Sequence, residues 1–160
     1  MKKPLFYISC PYDTYSGYGA RSRDIIKSIV KTDKYDVKLL PQRWGETPWG
    51  FCDDHKEWNF LHDLVLPPTM NKTRPDIWMQ ITVPNEFQKV GRYNIGISAG
   101  IETNVFPGDF IEGMNRMDLN LVSSQHSKQI AEATVFDKKD TKTNQTIAKV
   151  KLQRPCKVLF

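Results

Sequence analysis

Two short segments carry the residues best suited to chemistry. The first, Pro11-Tyr-Asp-Thr-Tyr-Ser-Gly-Tyr-Gly-Ala20, follows a short apolar run and leads into a helical pattern. Its Gly17 and Gly19 allow a tight turn and close approach of another group. The start of the following helix would aim free N–H groups and a partial positive charge at a phosphate or a sugar edge. The same two glycines also suit a turn with no ligand at all. The second segment, Ser98-Ala-Gly-Ile-Glu-Thr103, places Glu102 just past a small-residue turn. A carboxylate there can accept a proton from a hydroxyl or bind hydroxyls directly. It can equally serve as an N-terminal helix glutamate favoured by the dipole. A third stretch, Ser123-Ser-Gln-His-Ser127, offers serines that cap a helix and His126 as a surface or packing histidine.

Other chemistries find less in the sequence. Cys52, Asp53, Asp54, His55 and His62 cluster, but their Cys-x2-His-x6-His spacing fits no usual zinc pattern, so no metal is expected. The third glycine of a dinucleotide fingerprint is Ser22, and Pro41-Gln42 supplies no acid for a ribose. A P-loop and a G-x-S-x-G elbow are both lacking. Trp44 and Trp49 suit either stacking on a sugar ring or anchoring their loop to the body.

These segments need a scaffold, and the hydrophobic pattern describes one. Pro4–Ser9, Tyr35–Leu40, Asp76–Val83, Tyr93–Ser98 and Leu119–Val122 read as strands. Ala20–Lys31 and Pro107–Asp118 have helical spacing, and a helix capped by Ser123 or Ser124 is expected to run to about Phe136. A short helix is expected over Glu57–Leu66. The opening order of strand, glycine-bearing loop, helix and strand implies an α/β fold with a parallel sheet flanked by helices. After Phe136 the sequence turns polar, Thr146–Leu152 alternates weakly like a strand, and Lys157–Phe160 opens another apolar element.

Of the 160 residues, 39% are hydrophobic and 26% charged, the balance of a globular chain. The net charge of +5 is local. Seven of the 23 Lys/Arg lie after Phe136 against two of the 18 Asp/Glu, which leaves 16 of each before it. Such a tail reads as a solvated insertion; it lacks the interleaved aromatics that stack bases, so no nucleic-acid partner is expected. The three cysteines are widely spaced and odd in number, so reduced thiols are expected. Apolar runs are too short to span a bilayer and no signal sequence is evident, which makes a cytoplasmic location the expectation.

Three segments resemble the N-terminal domains of the group 1 set of GT-B glycosyltransferases, including bacterial and phage forms. They are Ser16-Gly-Tyr-Gly-Ala20-Arg21 with its preceding strand, Ile95-Gly-Ile-Ser-Ala-Gly-Ile-Glu102-Thr103 followed by Pro107 and a helix, and Met117-Asp-Leu-Asn-Leu-Val-Ser-Ser124. Together they span about residues 4 to 136. The resemblance implies a Rossmann-like acceptor-side domain over 1–136, a basic polar insertion with the start of a further element over 137–160, and a donor domain lying outside this chain. It implies transfer of a sugar from a nucleotide-diphosphate sugar to an acceptor, with no further cofactor. It also implies Glu102 on the acceptor side, as base, hydroxyl binder or structural residue, with Gly17, Tyr18, Gly19, Arg21, Thr103 and Ser124 as substrate-binding positions. A Rossmann-like sugar- or nucleotide-binding module without chemistry is the alternative.

Overall fold

The computed structural model describes residues 1–70 and 72–160. Its strands are β1 Leu5–Cys10, β2 Asp36–Pro41, β3 Ile77–Ile81, β4 Tyr93–Ile97, β5 Leu119–Val122, β6 Val135–Lys139, β7 Thr146–Lys151 and β8 Cys156–Val158. Its α-helices are α1 Gly17–Lys31, α2 Phe51–Asp54, α3 Gly108–Asn115 and α4 Gln125–Ala133. Six strands form a parallel sheet in the order β2-β1-β3-β4-β5-β8. The architecture is therefore α/β and Rossmann-like. The chain steps from β1 to β2 on one side and then to β3 on the other, which puts a topological switch at the carboxyl ends of β1 and β3. Two compact units divide the chain: Met1–Thr82 with Val90–Asn94, and Val83–Lys89 with Ile95–Phe160.

In the first unit β1 is the central strand. Phe6, Tyr7, Ile8 and Cys10 are all buried, the near-continuous burial expected of a parallel strand covered on both faces. Ile26 of α1, Val37 and Leu39 of β2, and Met79 and Ile81 of β3 complete this core. Helix α1 begins at Gly17, so Gly17 and Gly19 belong to its first turn and not to the loop expected from the sequence. Ser16 is the reason: its Oγ accepts from the Gly19 N–H at 2.8 Å and caps the helix earlier than the apolar pattern suggests. At Gly19 an added Cβ would lie 2.4 Å from the Thr14 carbonyl oxygen, whereas Gly17 has open space. The tryptophan-rich stretch over residues 42–68, with Trp44, Trp49 and Trp58, is tied back by an antiparallel bridge between Thr14 and Trp49. Its expected short helix is a run of 3-10 turns over Lys56–Leu64.

In the second unit Ile97, Ile111, Met114, Met117 and Val122 form the core. Close approaches fix it: at Gly113 a Cβ would sit 1.8 Å from the Pro84 carbonyl oxygen, and Gly96 lies against the Phe87 ring. Ser124 caps α4, but the helix stops at Ala133 instead of running to Phe136. Thr134 Oγ1 donates to the Ile130 carbonyl and accepts from the Phe106 N–H, ending the helix. Val135 and Phe136 then enter β6, and Gly108 has no Cβ to obstruct the Phe136 ring. The polar stretch is an antiparallel β6–β7 hairpin, fastened by Lys138–Glu112 at 2.9 Å and by Asn115 bonding the backbone of Lys151 and Gln153. The segment beyond it supplies β8, which pairs with β5. No helix among the described residues is long and apolar enough to cross a membrane.

Candidate functional site

In open parallel sheets, ligands are held beyond the carboxyl ends of the strands. In the second unit, the residues after β4 and β5 border a cleft of about 460 Å³, lined by Ala99, Gly100, Ile101, Glu102, Ser123, Ser124, His126 and Ser127. Its floor is built by serines. Ser124 Oγ accepts from the Ser127 N–H at 3.1 Å and donates to Ser127 Oγ, which in turn donates to the Ile101 carbonyl at 3.4 Å. Ser123 Oγ donates to the Ala99 carbonyl. Gly100 makes this possible. Its φ is 88°, and an added Cβ would lie 2.1 Å from Ser127 Oγ. The loop from Ala99 to Ile101 is thus stitched to the start of α4, where the N–H groups of the first turn have no intrahelical acceptor. Glu102 and His126 are exposed at the rim. Glu102 makes no hydrogen bond or ion pair among the described residues, so its carboxylate retains its full accepting capacity.

The carboxyl end of β1, in the first unit, is organised differently. Arg23, 4% exposed, donates from Nη1 to the carbonyls of Tyr12 and Thr14 at 2.8 and 2.9 Å, and its guanidinium lies 3.5 Å above the centre of the Phe51 ring. Burial lowers its pKa. The loop it clamps presents Asp13, 8% exposed, whose Oδ1 accepts from the Cys52 N–H at 2.8 Å. Asp13's carbonyl accepts from the N–H groups of Gly50 and Phe51. Burial pushes the Cys52 thiol up to about 12, with the Asp13 charge adding to the effect, and burial likewise raises Cys10 to about 12. Both stay protonated near neutrality and do not act as thiolates. Tyr12 Oη lies 3.1 Å from His62 Nδ1, and His62 Nε2 lies 3.1 Å from Asp53 Oδ1. Burial, then the Asp13 charge, raises the Tyr12 phenol.

Of the residues selected from the sequence, Glu102 and Ser124 line the cleft together. Ser124 is also the helix cap, so part of its hydroxyl's capacity is spent on Ser127. Thr103 is exposed outside the lining, and its Oγ1 donates to the Val105 carbonyl at 3.1 Å. Gly17 and Gly19 lie in α1, Tyr18 stacks on Trp44 with ring centres 4.1 Å apart, and Arg21 is half-buried on the same helix. Trp44 is thereby anchored to α1, whereas Trp49 remains 38% exposed. The sequence pattern alone marks His126 as a surface or packing histidine and does not join Asp13 to Asp53 and His62. The local signal was present only for the last two, since Asp13 lies 40 positions upstream of Asp53.

A larger cleft, about 670 Å³, lies at the amino ends of β1 and β3. Its Asp76 is committed to the fold: the carboxylate accepts from the Leu5 N–H at 2.8 Å and pairs with Arg92 at 3.8 Å.

No family model, curated protein or solved structure matches this chain.

Proposed function

We propose that this chain is the acceptor-side domain of a GT-B-type glycosyltransferase, and that it receives a hydroxyl-rich acceptor in the cleft beyond β4 and β5. Glu102 carries the proposal. It is an exposed carboxylate without a partner among the described residues, set in a cleft bordered by serine hydroxyls, His126 and the first turn of α4. Carboxylates, serines and backbone N–H groups are the donors and acceptors that a polyol needs.

In the proposed reaction the acceptor oxygen bonds to the anomeric carbon. The bond from that carbon to the phosphate oxygen breaks, and the nucleotide diphosphate leaves with the electron pair. Glu102 takes the hydroxyl proton as general base. The resemblance assigns the nucleotide-diphosphate sugar to a second domain. The 160-residue chain by itself is therefore expected to bind acceptor only weakly and to leave the donor intact.

Saturation-transfer NMR on the 160-residue chain tests this, with methyl α-glucoside, N-acetylglucosamine and UDP as separate probes. Saccharide contacts that vanish in Glu102→Gln, with the fold retained, support the proposal. Contacts to UDP alone would favour a nucleotide-binding module, and contacts to none of the three would refute an acceptor site of this class.

A further inference from the structure

We infer that Asp13, Asp53 and His62 form a binding site for one divalent transition-metal ion of the zinc class, at the carboxyl end of β1. Each offers one ligand atom, and these atoms all lie within 4.8 Å of one another. Donors sharing an ion at about 2.0–2.2 Å sit roughly 3–4.4 Å apart, so a modest contraction closes the set. Two carboxylates and one imidazole suit zinc and its neighbours in the first transition row.

The surroundings favour an ion over a fortuitous cluster. Asp13 is more than nine-tenths buried, yet no Lys or Arg nitrogen among the described residues comes within 4 Å of its carboxylate. The nearby Arg23 spends its Nη1 on the Tyr12 and Thr14 carbonyls instead. A buried carboxylate is costly unless it is paired or coordinates a metal. The Cys52 N–H holds Asp13 Oδ1 in place and leaves capacity on the carboxylate. Tyr12 Oη lies against His62 Nδ1, where it accepts that proton and leaves the Nε2 lone pair for the ion. This second partner on the distal ring nitrogen is the usual support of a metal-bound histidine. In the alternative tautomer Nε2–H donates to Asp53, so metal binding replaces that hydrogen bond and releases a proton.

Access and location agree with the assignment. Asp53 is exposed and the His62 side chain is partly so, while Asp13 is buried, so the set is open to an ion from solvent. Three protein ligands leave a position for water or for an oxygen of a bound ligand. The site also stands at the strand end beside the topological switch, where this class of sheet receives ligands.

The test is calorimetric titration of Zn2+ into the chelator-stripped 160-residue chain, with Co2+ absorption as a second readout. One ion per chain is expected, with affinity reduced at least tenfold in both Asp53→Asn and His62→Gln and visible Co2+ bands altered in His62→Gln. Tyr12→Phe should keep the stoichiometry and weaken binding about tenfold. Asp53 is exposed and His62 partly so, and their variants keep the test valid even if Asp13→Asn fails to fold. Failure of the folded wild type to take up either ion would overturn the assignment. So would affinity within twofold of wild type in both the Asp53 and His62 variants, or loss of binding in Cys52→Ala with its fold intact, which would mark a thiolate site instead. The saccharide experiment does not report on this outcome, because it reads residues of the other unit.

Discussion

The carboxyl end of β1 and the carboxyl ends of β4 and β5 solve the problem of displaying polar groups in opposite ways. At β1, Asp13 and Arg23 are buried, the guanidinium is bonded to two carbonyls and covers an aromatic ring, and the loop is fastened to the segment at Gly50–Cys52. Beyond β4 and β5, the serines are tied to one another and to backbone, while Glu102 and His126 stand exposed above them. The first arrangement is preorganised and small, suited to an ion. The second leaves a cleft of about 460 Å³ with hydrogen-bonding capacity still available at Glu102, which is what the proposed polyol ligand would require. The contrast is between a guanidinium whose partners are supplied by the fold and a carboxylate, Glu102, without a partner among the described residues.

The contrast is broken most forcefully at Arg23. Arg23→Ala strands two carbonyls at the end of β1 and uncovers the Phe51 ring, with an expected loss of roughly 3–4 kcal/mol in urea unfolding. A loss below about 1 kcal/mol would mean that the clamp is not built as described. Next come the α1 glycines. Gly19→Ala drives a Cβ into the Thr14 carbonyl and should cost about 1–3 kcal/mol, while Gly17→Ala meets open space and should be neutral or slightly stabilising. Equal effects of the two substitutions in thermal melts would contradict the packing at this helix start.

Gly100 tests the serine floor in the same way. Gly100→Ala combines a left-handed backbone with a clash against Ser127, and about 1–3 kcal/mol of destabilisation is expected. In a Ser127→Ala background part of that cost should disappear, which a double-mutant cycle measures directly. The smallest effect belongs to Glu102. Without an intramolecular partner among the described residues, Glu102→Gln should change stability by less than about 0.5 kcal/mol while altering ligand binding. A large loss of stability would instead make it a structural residue.

The same contrast explains what was legible in the sequence. Central strands such as Leu5–Cys10 announce themselves as apolar runs, and β5 lies over the very residues its pattern indicates, Leu119–Val122. The β4–β5 cleft was partly legible because Glu102 follows β4 and a small-residue turn, and Ser124 follows β5 as a helix cap. Helix ends were less legible because short-range polar bonds decide them: Ser16 starts α1 ahead of its apolar stripe, and Thr134 ends α4 before Phe136. The β1 end was hidden. Asp13, Asp53 and His62 meet only after α1, β2 and the tryptophan-rich stretch have folded back, and no local spacing encodes that meeting.

The most direct test of the proposed division of labour is a 15N–1H chemical-shift titration of the 160-residue chain with methyl α-glucoside. Saturable shifts confined to Ala99–Glu102 and Ser123–Ser127 are expected, with their loss in Glu102→Gln. Shifts centred on Tyr12, Asp13 and Arg23, with the residues around Glu102 unmoved, would contradict that division.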